Sequence, residues 1–230
     1  MDTSHNQKDK QQNKRTGKET RQLIVIDELM STSSLGSDHF ILIVLSCILA
    51  TFGLITNSVA VIIGAMLVAP LLSPILGFSM ALLTVHPIMF RRSFFYIIRG
   101  AAISIALSAG IAWLVYRLPL GLPVEMPAEV LARSHPSLFD LGIALAGGAT
   151  AAFAIARPRL SAALSGAAIA TALMPPLCTI GIGIAFANSA VLFGALLLYS
   201  INFVAIFLAG IITFALMGFR PINQSVKPSR

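Results

Sequence analysis

The chain has 230 residues, 57% of them hydrophobic and 11% charged, with a mean hydropathy of +0.87. Soluble domains carry roughly 25% charged residues, so this composition excludes a soluble globular domain and points to an integral membrane protein built as one bundle. Sixteen Lys+Arg against nine Asp+Glu leave a net charge of +7. The basic N-terminal tail has no interleaved aromatics, so no nucleic-acid partner is expected; the basic residues read as topology signals and contacts to the lipid bilayer.

Residues 1–38 form a polar tail holding Lys8, Lys10, Lys14, Arg15, Lys18 and Arg21. It lacks an apolar core followed by a small-residue cleavage site, so no cleavable signal peptide is expected. Leu23-Ile24-Val25-Ile26, ahead of Asp27 and Glu28, reads either as a short interfacial helix or as a disordered lead-in.

Between Asp38 and Arg91 lie 52 residues without Asp, Glu, Lys or Arg. A membrane span needs about 20 apolar residues, so two helices are predicted there, with the turn at Thr56-Asn57-Ser58. Residues 93–117 form a third span, interrupted by Arg99. Residues 118–138 are an external loop, in which Pro127 followed by Glu129 predicts a short surface helix. Residues 139–156, rich in Ala and Gly, form a fourth span. The 60 uncharged residues from Leu160 to Phe219 hold two more, with the turn at Ala187-Asn188-Ser189. The expected fold is an all-α integral membrane protein of six transmembrane helices. It divides into a first three-helix repeat (39–117), a second (139–219) and a C-terminal tail (220–230).

The charges orient this layout. With the N-terminus inside, the inner segments hold thirteen basic residues, among them Arg91, Arg92, Arg157, Arg159 and Arg220, while the outer ones hold Arg117 and Arg133. Positive-inside bias then predicts both termini in the cytoplasm.

The two halves align at an offset of 102. Gly64-Ala65 falls on Gly166-Ala167, Leu71 on Leu173 and Pro74 on Pro176, with seven identities over residues 41–83. Three spans per half is an odd number, so the halves would enter the membrane in opposite senses. Such inverted 3+3 repeats recur in transporters, with sites near the midplane at interrupted helices. The second span, about residues 57–86, carries Pro70 and Pro74 near its centre, and the fifth, about residues 160–187, carries Pro175-Pro176. Proline removes a backbone donor and clashes with the carbonyl four residues back, so both spans are predicted to break. Ser73-Pro74 reads as N-cap and first helical residue. The amides of Ile75, Leu76 and Gly77, and of Leu177, Cys178 and Thr179, would then face the midplane. The carbonyls of Val68, Ala69, Thr171 and Ala172 would end the first half-helices. A pair of kinked helices without a ligand is the alternative.

No Asp or Glu lies between His39 and Val124 or after Asp140, so no membrane carboxylate relay is expected. Arg99 reads either as a side chain reaching back to the inner surface or as an anion-attracting charge in an inward vestibule. His86 is placed at the inner interface. Cys47 and Cys178 read as small core residues, and no metal or cofactor is expected. Ser165 has no membrane histidine to activate it, and no nucleotide motif is present, so an enzyme is not expected. Ala60-x3-Gly64 and Ala162-x3-Gly166-x3-Ala170 read as small-residue packing faces. The candidate solute-binding residues are Asn57, Ser58, Gly64, Pro70, Ser73, Pro74, Gly77, Thr171, Pro175, Pro176, Thr179 and Asn202.

The stretch from Asn57 through Gly64, Pro70 and Pro74 to Gly77 resembles the signature of a prokaryotic membrane family, domain of unknown function 389. So do Gly166 through Pro175-Pro176-Leu177, and Ala132 through Pro136 and Asp140 to Ala144. The resemblance covers about residues 38–218 and implies a multi-pass protein of the bacterial inner membrane. Some members of that family carry an extra soluble domain, and no substrate comes with the resemblance. The residues therefore point to a small-solute transporter or channel, with a slight preference for an anionic or neutral polar solute because no buried carboxylate would help hold a cation. A non-transporting scaffold or sensor is the alternative. A homo-oligomer would suit so small a bundle.

Overall fold

The computed structural model describes residues 23–27, 29, 37–118, 125–157 and 173–221. Among them the chain is helical, without a strand. Residues 23–27 are helical, with Val25 and Ile26 buried. Eight helices with described bounds follow: α1 (Ser37–Ile55), α2 (Val59–Val68), α3 (Leu72–Thr84), α4 (Pro87–Arg117), α5 (Ala128–Ala132), α6 (Leu138–Ile155), α7 (Met174–Ala185) and α8 (Ser189–Leu216). α1, α4, α6 and α8 are each long and apolar enough to cross a membrane. α2 and α3, bent by 47° across a short break, together make a fifth such segment. α7 has 12 residues, about 18 Å of helix, too short to cross about 30 Å of hydrocarbon. The expected first half of the fifth span, with Ser165, Gly166 and Thr171, lies outside the described residues, as do the basic side chains of the tail.

The expected turns at 56–58 and 187–189, and a third at Val85 that the sequence places later, at 87–92, share one recurring device. Asn57, Val85 and Ala187 adopt left-handed backbone at φ 53°, 54° and 50°. The following amides reach back across the helix end: Ser58 N to Gly53 O at 2.8 Å, His86 N to Ala81 O at 2.9 Å and Asn188 N to Gly183 O at 2.9 Å. These six-to-one bonds satisfy carbonyls that the helix end would otherwise leave open. His86 and Asn188 then cap the next helix, accepting from Met89 N at 3.3 Å and Val191 N at 3.2 Å. Capping by His86 with Pro87 behind it starts α4 six residues before the expected span. Arg91 and Arg92, read as loop residues from the sequence, are therefore helical.

Several contacts define the two ends of the bundle. Asn57 Oδ1 accepts from Glu129 N at 2.9 Å, which ties the end of α1 to α5. Gly194, early in α8, lies directly against the Ser134 backbone. The 56–58 turn, α5, the start of α6 and the start of α8 therefore share one end. At the other end, the His39 ring meets Tyr96 edge-on at 5.5 Å, so the starts of α1 and α4 lie together.

The core sits where α3 and α7 pack between the long helices. α4 packs on α3 and α7, and α8 packs on the same two. α3 and α7 start at Leu72 and Met174, and α4 and α8 start at Pro87 and Ser189, each pair 102 residues apart. Ile62, Leu76, Met80, Met174, Leu177 and Ile182 are among the fully buried side chains.

Candidate solute site at the helix breaks

Pro70 has no N–H to give the Met66 carbonyl, so the α2 ladder stops there. α2 ends at Val68 and Ala69 turns to extended backbone at φ −66°, ψ 117°. The Ala69 amide still reaches Ala65 O at 3.1 Å, and Ser46 Oγ donates to the same carbonyl at 2.7 Å. The carbonyls of Val68 and Ala69 thus end the first half-helix, as the sequence suggests.

The second half-helix starts earlier than Ser73-Pro74 implies. Its N-cap is Leu71, without a side-chain cap bond. Ser73 and Pro74 are the second and third helical residues rather than N-cap and first residue. Proline is tolerated throughout the first turn, because those amides have no intrahelical acceptor, so Ser-Pro alone does not set the start. Helical geometry commits the Ile75 amide to the Leu71 carbonyl. The amides that the helix ladder leaves open are those of Leu72 and Ser73, not those of Ile75, Leu76 and Gly77.

The same correction applies at the other break. α7 is capped by Leu173 and carries Pro175 and Pro176 as its second and third residues. Both prolines remove only amides that the first turn leaves open. Leu177, Cys178 and Thr179 lie inside the helical ladder, so the amides that the ladder leaves open there are those of Leu173 and Met174. In both helices the N-terminal partial positive charge still falls within the bundle.

Polar groups of the other elements converge beside α7. The Cys47 and Cys178 sulfurs lie 3.7 Å apart, and Cys47 Sγ approaches Ser104 O at 3.2 Å. Ser108 Oγ donates to Cys178 O at 2.8 Å, and Thr51 Oγ1 donates to Cys47 O at 2.7 Å. The hydroxyls of Ser104 and Thr179 are buried with no hydrogen-bond partner among the described residues. Such orphaned hydroxyls are costly in an apolar interior. Ser104 and Ser108 are not among the residues that the proline segments point to. The available signal was the four-residue spacing Gly100, Ser104, Ser108, Ala112, which places small residues on one buried face of α4.

The remaining expected site residues divide. Pro74, Gly77, Pro175, Pro176 and Thr179 are buried, Asn202 is buried on α8, and Pro70 and Ser73 are half-buried beside the first break. Asn57 and Ser58 sit at the far end of α2, about 15 Å from the break by helical rise, and Asn57 spends its side chain on α5. Gly64 faces open space, with nothing within 4 Å of a would-be Cβ, and Ala60 is exposed. The Ala60-x3-Gly64 face is therefore not a packing seam of the described chain. Thr171, with the Ala162-x3-Gly166-x3-Ala170 face, lies outside the described residues.

A family model described as "Domain of unknown function (DUF389)" matches residues 66–208, a stretch that includes both breaks. An uncharacterized protein of Methanocaldococcus jannaschii is 29% identical over 210 residues, covering 89% of this chain and 63% of the relative. The chain thus spans less than two thirds of that relative's length. No solved structure matches. With the matched region covering more than half of its residues, the chain belongs to the DUF389 family.

Proposed function

We propose that this protein is a small-solute transporter or channel, built as an inverted 3+3 repeat of six spans, with its site at the two broken helices. The observation that carries the reading is the pairing of those helices. Leu72 and Met174 start proline-led helices 102 residues apart, inside a bundle whose described spans carry carboxylates only in their first turns, at Asp38 and Asp140. The contacts support opposed halves: α1 ends, and α6 starts, at the same end of the bundle. α7 is too short to return the chain across the membrane alone, so the fifth crossing in chain order needs residues 158–172 as well. The basic residues Arg91, Arg92, Arg157 and Arg220 favour the opposite end as cytoplasmic, in the bacterial inner membrane with both termini inside.

The amides that the helix ladders leave open at Leu72, Ser73 and Met174 would favour an anionic or neutral polar solute. The buried Ile75 and Leu177, each 1% exposed, describe a closed form. That same burial favours the second reading, a non-transporting scaffold whose breaks are kinks.

The experiment is a thermal-shift screen of the purified protein against inorganic ions, carboxylates, amino acids and polyols. A ligand at a hundredfold excess over Kd stabilises by about 2.7 kcal/mol. Uptake into proteoliposomes of whichever solute shifts the protein follows, with Pro176→Ala and Ser73→Ala beside the wild type. A shift and uptake that both variants diminish support the transporter. Uptake unchanged in both variants overturns the assignment of the site.

A further inference from the structure

A second constellation lies outside the breaks, near the start of α4. Arg91, Arg92 and Arg99 line a groove of about 570 Å³ together with Ile88, Phe95 and Tyr96. Among the described residues no carboxylate pairs with any of the three guanidiniums. Arg99 stands 6.0 Å from the centroid of the Phe40 ring, a contact that holds the guanidinium over α1. Tyr96 is only 9% exposed, and its hydroxyl has no partner among the described residues; neither has the Nε2 of His39, whose ring packs on it.

The fold itself shows that these arginines are not needed to build a helix of this kind. At the offset of 102, α8 carries Phe193, Gly194 and Ile201 where α4 carries Arg91, Arg92 and Arg99. Tyr96 becomes Leu198. The two helices otherwise start with the same capping geometry and pack on the same pair of short helices. The positive charge, and the hydroxyl beside it, are thus additions at one end of the bundle.

The wall of the groove identifies the occupant. Ile88 is 57% and Phe95 65% exposed, so the arginines stand over apolar surface. A free inorganic anion gains nothing from such a wall. A phospholipid presents phosphate and acyl chain together, matching guanidinium forks above aromatic and aliphatic side chains. We propose that this groove binds the phosphate headgroup of an anionic phospholipid, with Arg91, Arg92 and Arg99 as its charged partners and Tyr96 as a hydroxyl donor.

The test follows thermal unfolding of the purified full chain in neutral detergent. Phosphatidylglycerol is titrated in, with phosphatidylcholine at equal mole fraction and inorganic phosphate at matched ionic strength as separate arms. The expected result is saturable stabilisation by phosphatidylglycerol alone. Each arginine removed should weaken that response about fivefold in apparent affinity, so Arg91→Phe/Arg99→Ile, which copies α8, should lose most of it. If that double variant does not fold, Arg99→Gln at an exposed position carries the same fivefold expectation. A wild-type response in the folded variants, or an equal response to phosphatidylcholine, overturns the proposal. A shift reproduced by inorganic phosphate makes this a free-anion site and overturns the lipid assignment.

Discussion

Gly181 lies so close to Ser108 that a Cβ on the glycine would stand 2.8 Å from the serine Cβ, and 2.6 Å from the Ile105 carbonyl oxygen. This contact brings α7 onto α4 with nothing between their backbones. Gly181→Ala therefore has no soft neighbour to push aside. Overpacking of this kind costs about 1–3 kcal/mol, and the variant should unfold at a clearly lower temperature in detergent. Gly64→Ala is the comparison. Its Cβ would enter open space, so the variant should be neutral or gain up to about 1 kcal/mol from the reduced freedom of the unfolded chain. If Gly64→Ala nevertheless abolishes uptake, the open space at Gly64 belongs to the solute path.

The contact has a counterpart with its partners exchanged. At the offset of 102, Gly181 becomes Ser79 and Ser108 becomes Gly210. Ser79 Oγ would stand 2.9 Å from a Cβ on Gly210, and it donates to the Phe207 carbonyl at 3.0 Å. One half puts the glycine on the short helix, and the other puts it on the long one. Gly210→Ser alone should be strongly destabilising, since two hydroxymethyl groups would compete for one gap. Ser79→Gly/Gly210→Ser rebuilds the Gly181–Ser108 arrangement in the other half. The double variant should be more stable than Gly210→Ser, with a coupling of about 1 kcal/mol or more between the sites. Additive losses would mean that the two seams are not equivalent.

Asn57 is held by two separable features, its left-handed backbone and its side-chain bond to Glu129 N. Asn57→Gly removes only the bond and should cost about 1 kcal/mol. Asn57→Ala adds the left-handed penalty of roughly 1–2 kcal/mol. Thermal unfolding should therefore rank wild type above Gly and Gly above Ala. Equal losses for the two would show that the turn relaxes when its anchor to α5 is gone.

The sequence located most elements because charge and length limit them directly. A membrane helix needs about 20 apolar residues, so the uncharged runs and Asn57 and Asn188 between them marked the turns. The offset of 102 was visible in Pro74 and Pro176, although few side chains are identical. What it did not reveal were features decided by three-dimensional contact. Ser73-Pro74 fits several helix starts, because proline is equally acceptable across the first turn, and packing selected Leu72. Cys47 and Cys178 are 131 positions apart, and no periodicity signals that their sulfurs meet. Asn57 reads as a solute ligand because polar residues are scarce in the run, yet Glu129 of α5, which takes its side chain, is 72 positions away.

The burial of Ile75 and Leu177, just past the two helix starts, makes the choice between transporter and scaffold a question of opening. Ile75 and Leu177 are each 1% exposed, and Cys178 is fully buried. A rigid scaffold keeps them so. A transporter must expose at least one of them to water on the side where the solute enters or leaves. Ile75→Cys and Leu177→Cys should be built separately in a Cys47→Ala/Cys178→Ser background, since both native sulfurs lie at the same cluster. Alkylation by a membrane-impermeant maleimide would then be followed over hours in oriented vesicles. The expected outcome is slow modification of both positions, accelerated or suppressed by the solute found in the thermal-shift screen, because only a minor open population reacts. Protection unaffected by any solute, at a rate no faster than for a cysteine placed at the buried Met80, would assign the breaks to a static kink.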